Sequence, residues 1–171
     1  MGVGAKRTVT VNGLSAGTRG TKTLRVFADS QCQTAETNET NNQFTKAYTV
    51  FGRPTPDFVV TRIVLTPASP SVGTTFSAAV TVKNQGTGSG RGGYLEVWSD
   101  QPTVPTCDTD GDTFVSVGTL AAGAGTTLTI DGLLGGTAGT KTLRAFVDSY
   151  CGTAETRESN NQKTAVYTVS P

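Results

Sequence analysis

TTFSAAVTVKN, at residues 74–84, alternates apolar and polar side chains along most of its length. One side of an extended chain would carry Phe76, Ala78, Val80 and Val82, and the other side would carry mostly Ser, Thr and Lys. This period of two predicts a β-strand with one face buried.

Segments of the same kind lie on both sides of this strand, separated by glycine-rich or polar turns. No window keeps the i, i+3, i+4, i+7 spacing of a helix for three turns. The six further predicted strands are residues 57–65, 94–99, 114–117, 126–133, 140–148 and 162–169. Seven short alternating strands predict an all-β fold, an antiparallel β-sandwich.

The chain also repeats itself. Residues 9–50 return at 128–169 with 27 of 42 positions identical, whereas residues 53–117, the front half, have no counterpart before residue 9. We therefore predict the C-terminal half of one unit at residues 1–50, a proline-rich linker at 51–56 (FGRPTP) and a complete unit at 57–171. Such a chain is typical of a tandem array of modules.

The strands of the incomplete unit are expected to lack the partner strands that would cover them. Its three predicted strands would expose a core face and unpaired edges, which is an unstable state in water. We expect another copy or a neighbouring repeat to supply the missing strands. Strand donation of this kind gives a head-to-tail contact that need not close, as in a filament.

The three cysteines fit the repeat. Cys32 and Cys151 are equivalent, while Cys107 lies in the front half of the complete unit. Two cysteines per unit predict a Cys107–Cys151 disulfide, with Cys32 free or paired outside this unit. Three unrelated buried thiols are the alternative. A disulfide would place the protein in an oxidising compartment, extracellular or on the cell surface.

Three segments resemble the bacterial cell-adhesion-related module called CARDB. They are PDFVVTRIVLTPASPSVGTTFSAAVTVKNQGT (56–87), GTLAAGAGTTLTI (118–130) and DSYCGTAETRESNNQ (148–162), which include the family's V-x-N-x-G and E-x-x-E-x-N-N elements. The resemblance covers residues 56–169 completely and 3–50 as a back half. It implies immunoglobulin-like sandwiches repeated on secreted and surface proteins, and it fixes no ligand.

Several functions find no support in the residues. The chain has no histidine, which removes the usual nucleophile systems and imidazole ligands, and it has no phosphate-binding or dinucleotide motif. A net charge of +1 gives no reason to expect nucleic acid. No apolar run reaches the roughly 20 residues that span a bilayer, so membrane insertion is not expected. We predict that the chain is not an enzyme.

One polar group precedes the last strand of each copy. Glu155, Glu158, Asn160 and Asn161 in the second copy match Glu36, Glu39, Asn41 and Asn42 in the first. Asparagine side chains commonly cap turn amides, and carboxylates accept amide hydrogens. We expect a structural turn here, and a ligand role is the alternative.

CDTDGDT, at residues 107–113, spaces three carboxylates like the opening of a calcium loop, although the rest of an EF-hand is absent. The expected disulfide would bring these acids towards those near Cys151. The predicted calcium ligands are Asp108, Asp110, Asp112, Asp148, Glu155 and Glu158. A solvated acidic loop without an ion remains the alternative.

Together, these features favour a non-enzymatic extracellular structural or adhesion module in a tandem array that forms a stalk or filament. A glycan-binding or protein-binding accessory domain of a larger secreted enzyme, stabilised by calcium, is the alternative. Trp98 could stack on a sugar, but a tryptophan buried in the sandwich is the favoured interpretation.

Overall fold

The structure of the protein is a computed structural model that describes residues 2–171. These residues form strands and turns. Within these residues there is no α-helix, and the one helical turn is a 3₁₀ turn at Glu39–Asn41. No described helix is long or apolar enough to cross a membrane. The chain divides into a first unit that ends at Gly52 and a second unit from Arg53 to Pro171.

The first unit contains one antiparallel hairpin and the second unit contains nine strands. In chain order they are β1 (Gly20–Phe27), β2 (Gln43–Val50), β3 (Phe58–Thr66), β4 (Thr75–Asn84), β5 (Gly90–Arg91), β6 (Tyr94–Trp98), β7 (Thr113–Ser116), β8 (Thr119–Leu120), β9 (Gly125–Leu134), β10 (Gly139–Val147) and β11 (Gln162–Val169). All seven strands predicted for the complete unit are present, with ends that differ by one residue at most.

The second unit is a sandwich of two antiparallel sheets. One sheet has the order β11-β10-β6-β7 and the other has the order β3-β4-β9, while β5 and β8 form a small separate pair. This arrangement confirms the predicted all-β, immunoglobulin-like sandwich. The two-residue strands β5 and β8 were not predicted, because so short a pairing leaves no alternation in the sequence.

The predicted alternation determines which side chains fill the sandwich. Phe76, Ala78, Val80 and Val82 of β4 are buried, as are Leu143, Ala145 and Val147 of β10 and Tyr167 of β11. These side chains form one core with Phe58 at the start of β3 and with Leu95 and Val97 of β6. Burial of this continuous apolar layer is the main source of the unit's stability.

A loop at residues 99–112, here called the strap, covers the outer face of the four-stranded sheet. Arg144 donates from Nε to the carbonyl of Gln101 (3.0 Å) and from Nη2 to that of Pro102 (2.9 Å), while Trp98 donates from Nε1 to the carbonyl of Asp110 (3.0 Å). Trp98 is buried, as predicted, but it lies under the strap because Leu95 and Val97 take the core face of β6.

Asn84 of the V-x-N-x-G element lies at the end of β4 and is fully buried. Its Oδ1 accepts from the amides of Asp57 (3.1 Å) and Gly86 (3.0 Å), and its Nδ2 donates to the carbonyls of Gly88 (2.9 Å) and Leu120 (3.0 Å). All of its hydrogen-bonding capacity is used, so this asparagine fastens three segments at one end of the sandwich.

The segment predicted as a linker is only partly a linker. The carbonyl of Thr55 accepts hydrogen bonds from the amides of Thr87 and Gly88 (both 2.9 Å), and the carbonyl of Pro56 accepts from the amide of Thr156 (2.9 Å). Pro56 is also buried. Thr55 and Pro56 therefore belong to the second unit.

The hairpin of the first unit has the same register as β10–β11. Gly20 pairs with Val50 and Phe27 with Gln43, and adding 119 to each number gives pairs of the β10–β11 ladder. Three strands were expected, but residues 9–14 form none. Their counterparts belong to β9, which pairs only with β4, and no described residue of the first unit corresponds to β4.

Candidate metal site

Glu155 connects the turn before β11 to the first strand of the opposite sheet. Its Oε2 accepts a hydrogen bond from the amide of Phe58, and its Oε1 accepts from Nδ2 of Asn161 at 2.7 Å. Phe58 lies 97 residues away in the chain. The carboxylate therefore supplies a partner for the first amide of β3, which the sheet leaves unpaired.

The rest of the E-x-x-E-x-N-N turn is held in the same way. Oε1 of Glu158 accepts from the amide of Glu155 at 2.9 Å, and Nδ2 of Asn160 donates to Oδ1 of Asp57 at 2.8 Å. In the first unit Oε1 of Glu39 accepts from the amide of Glu36 at 2.9 Å, while Asn41 and Asn42 end the 3₁₀ turn. These residues shape turns in both copies.

Asp148 follows β10 and is buried with a left-handed backbone, at a φ of 50°. Its Oδ2 accepts from the amide of Thr153 at 2.9 Å. A Cβ atom at Gly93 would lie 2.4 Å from Oδ1 of Asp148, so only glycine fits beside this carboxylate. Asp148 is thereby fixed at the edge of the sandwich.

Asp148, Glu155 and Glu158 each offer a carboxylate oxygen within 4.8 Å of the others. We call this group the carboxylate cluster. In the described part of the chain the one salt bridge is Lys141 to Asp100, so no basic side chain neutralises the cluster. Three carboxylates at this spacing repel one another, and the repulsion is relieved by a proton or by a bound cation.

Burial raises the pKa of Glu155 from 4.5 to about 7, and the charges of Glu158 and Asp148 add to this rise. The hydrogen bonds from Phe58 and Asn161 oppose it. Burial also raises the pKa of Asp148, with a further contribution from Glu158. Both shifts follow from holding negative charges together away from water.

The structure brings together only three of the six predicted calcium ligands. Asp108, Asp110 and Asp112 lie on the strap and make other bonds: Asp108 donates its amide to the carbonyl of Ser149 (3.0 Å), Asp110 accepts from the Tyr150 hydroxyl (3.0 Å), and Asp112 accepts from the amide of Ser99 (2.7 Å). The strap crosses the outer face of the sheet, whereas the side chain of Asp148 lies against Gly93 at its edge.

Sequence reasoning missed Glu96, which lies between Leu95 and Val97 on β6. Its side chain is buried under the strap, where Oε2 accepts from the amide of Gly111 at 2.8 Å and Oε1 has no partner among the described residues. Burial raises its pKa, and the charge of Asp110 adds to the rise. The available signal was an acidic residue inside an otherwise apolar strand.

The strap is joined covalently to the turn that follows β10. Cys107 and Cys151 form a disulfide with their Cα atoms 5.7 Å apart, and Cys32 is a free, exposed thiol. Cys151 has a positive φ of 49°, and Cys32 has the same conformation at 53°. The two hairpins thus carry their equivalent cysteines on loops of equivalent shape.

Three exposed aromatic rings lie beside a shallow groove at the edge of the four-stranded sheet. The ring of Tyr94 is 5.3 Å from that of Phe114 and 5.7 Å from that of Tyr150, both in edge-to-face geometry. The groove is lined by Arg91, Gly93, Tyr94, Ser116, Gly118, Asp148, Tyr150, Gly152 and Thr153. We call these rings the aromatic patch, and it was not predicted.

The sandwich, its strap and its turn define an immunoglobulin-like domain. The sequence profile of the family described as CARDB matches residues 1–46 and 55–165. The chain belongs to the CARDB family, which confirms the resemblance found in the sequence. CARDB is a family of non-catalytic domains.

Solved structures show the same fold. A CARDB domain from Pyrococcus furiosus, crystallised in complex with di-metal ions, is 23% identical with a TM-score of 0.54, covering 67% of this chain and 89% of that chain. A domain of a predicted cell surface protein from Methanosarcina acetivorans is 26% identical with a TM-score of 0.52, covering 67% and 92%. No curated protein matches the chain in sequence.

Proposed function

We propose that this chain is a non-enzymatic structural or adhesion segment of an extracellular or cell surface protein in which CARDB units follow one another. The match of the family profile to two separate segments carries the proposal. The equal registers of the two hairpins support it. The similar domain from Methanosarcina acetivorans belongs to a predicted cell surface protein, and the disulfide suits an oxidising compartment.

Surface labelling tests the location. Intact cells that make the protein are treated with a membrane-impermeant amine reagent, and the protein is then isolated under non-reducing conditions with its thiols blocked. We expect labelled lysines and an oxidised Cys107–Cys151 pair. Unlabelled protein with reduced cysteines in the cytosolic fraction would contradict the proposal.

The carboxylate cluster supports a second part of the proposal, the binding of a hard divalent cation such as calcium. Carboxylate and amide oxygens are the ligands that calcium prefers. Among the described residues the three carboxylates form no salt bridge, and Oδ1 of the buried Asn161, next to Glu155, lacks a hydrogen-bond partner. A bound cation would fasten the turn to the start of β3 through Glu155. A CARDB domain of similar fold was crystallised with di-metal ions.

Calcium titration of the melting temperature tests this part. Millimolar calcium should raise the melting temperature of the chelator-treated protein, and Asp148→Asn or Glu158→Gln should reduce that rise. Asp108→Asn is the matched control, because Asp108 lies on the strap outside the cluster, and it should keep the full rise. An equal rise in all variants, or no rise in the unmodified chain, would contradict a cation site at the cluster.

The aromatic patch favours a second candidate function, recognition of a glycan or protein by an accessory domain of a larger secreted protein. Exposed aromatic rings beside hydrogen-bonding groups are common where proteins bind sugars and other proteins. Tyr94→Ala and Phe114→Ala should abolish such binding on a glycan array while leaving the fold intact. Electron microscopy of the same preparation would show filaments only if the structural function holds.

A further inference from the structure

The hairpin β1–β2 exposes side chains whose counterparts form the core of the second unit. Leu24 is 40% exposed and Tyr48 is 40% exposed, whereas the equivalent Leu143 and Tyr167 are 0% and 6% exposed. Val26 is exposed on the same face of the hairpin, where the second unit has the buried Ala145. The hairpin therefore has a core face without the sheet that would cover it.

In the second unit, polar side chains of the β10–β11 half also hold the front half. Lys141 forms a salt bridge with Asp100 at 3.1 Å. Arg144 donates to two carbonyls of the strap, Glu155 accepts from the amide of Phe58, and Cys151 is bonded to Cys107. Each of these contacts joins the two halves of one domain.

The first unit keeps all of these side chains. The residues equivalent to Lys141, Arg144, Cys151 and Glu155 are Lys22, Arg25, Cys32 and Glu36. Even a local contact is repeated, because Lys22 donates to Thr18 as Lys141 donates to Thr137 (2.9 and 3.3 Å). The hairpin thus retains both the apolar face and the polar groups that bind a front half.

We propose that the β1–β2 hairpin binds the front half of a further CARDB domain. The partner is a polypeptide with the chemistry of residues 53–117, including a strand that pairs with β1 as β6 pairs with β10. An acid after that strand would meet Lys22, two carbonyls would meet Arg25, and a cysteine would lie beside Cys32. The inference rests on the proposed array and names the partner of its incomplete unit.

A second copy of this chain is a poor source of that front half. A copy of residues 1–171 carries two equivalent hairpins, at 20–50 and 139–169, and one front half. Strand exchange between copies would cover one hairpin and uncover another, so it gains no net burial. Direct pairing of two hairpin faces would bring Lys22 and Lys46 of each copy into the contact, because both lie on the exposed core face.

The test adds a front half to the complete chain. A copy of residues 53–119 is placed directly before residue 1, which restores the spacing of the second unit and leaves residues 1–171 unchanged. The matched control carries Val80→Asp and Val82→Asp in the added segment only. These charges would face the core between the sheets, because Val80 and Val82 are fully buried in the second unit.

Hydrogen exchange and disulfide mapping give the readouts. In the extended chain, amides of β1–β2 should exchange at least 100-fold more slowly than in the unmodified chain. In a glutathione buffer, glutathione disulfide should oxidise Cys32 and the added Cys107 to a disulfide and be reduced to two glutathione molecules. The control should show neither change.

Fast exchange of β1–β2 and a free Cys32 in an extended chain whose β10–β11 amides stay protected would overturn the inference. Slow exchange of β1–β2 in the unmodified chain, accompanied by dimer formation in sedimentation, would also overturn it in favour of pairing between copies. Surface labelling of native cells is independent of both results, so a failure of the proposed location is distinguished from a failure of this inference.

Discussion

Leu24 and Leu143 occupy the same position in two hairpins of identical register, yet Leu24 is 40% exposed and Leu143 is completely buried. The surrounding hairpin sequence is largely shared, so the difference arises from what covers each leucine. Leu143 lies against the front half of its own domain. The stability of each hairpin therefore depends on the sheet that covers it more than on the hairpin's own sequence.

Truncation of these two leucines should have different costs. Leu143→Ala leaves a cavity in a close-packed core and should lower the free energy of unfolding by about 2–5 kcal/mol. Leu24→Ala removes an exposed side chain and should change it by less than about 0.5 kcal/mol. Urea unfolding followed by far-ultraviolet circular dichroism measures both. An equal loss of unfolding free energy for the two variants in a monomeric sample would show that Leu24 is buried, which would contradict this account.

The disulfide should stabilise the second unit by restraining its unfolded state. Cys107 and Cys151 are 44 residues apart, and closing a loop of that length is worth roughly 4 kcal/mol in the chain-entropy treatment. Cys151→Ser should lower the unfolding free energy by up to that amount, while the control Cys32→Ser should have no effect. Trp98, the single tryptophan, lies under the strap and reports its release by fluorescence. Unchanged fluorescence and stability in Cys151→Ser would contradict this account.

The carboxylate cluster should make stability depend on pH. The pKa of Glu155 is about 7 in the folded protein against an ordinary value of 4.5, so the folded state holds this proton more tightly. The stabilisation from the bound proton is complete below about pH 4.5. It is lost as the pH rises towards 7, because deprotonation then costs more in the folded state than in the unfolded one.

Glu155→Gln should remove this part of the pH dependence. Between pH 5 and pH 8, in the presence of a chelator, the melting temperature of the unmodified protein should fall by roughly 3–5 °C more than that of the variant, or about 1 kcal/mol after allowance for solvent screening. Glu36→Gln is the control, since the exposed Glu36 has no partner equivalent to Phe58 within residues 2–171. Parallel melting curves for the unmodified protein and Glu155→Gln would contradict the account.

The fold could be predicted from the sequence because the alternation of apolar and polar residues determines which face of each strand is buried. Phe76 to Val82 of β4 and Leu143 to Val147 of β10 take the predicted faces. The strand expected at residues 9–14 is absent. An alternating sequence forms a strand only when a second strand is present to pair with it. Its equivalent β9 depends on β4, so a local pattern could not reveal the missing ladder.

The candidate site was predicted in part. The disulfide brings the acidic strap close to Cys151, as predicted. The direction in which each carboxylate side chain points could not be predicted from this closeness of the backbone. Asp112 bonds back to Ser99, whereas Asp148 turns towards Gly93 at the sheet edge. The contact between Glu155 and Phe58 joins the turn before β11 to a strand of the other sheet, and only the folded arrangement shows it.

Native-state hydrogen exchange of the unmodified, monomeric chain tests the central claim most directly, because both hairpins are measured in one sample. We predict that amides of β10–β11 exchange only through global unfolding of the second unit. Amides of the equivalent β1–β2 hairpin should exchange within about tenfold of unprotected rates, as expected for a hairpin without its partner sheet. Comparable protection of the two hairpins in the monomer would contradict the claim that β1–β2 is half of a domain that needs a front half.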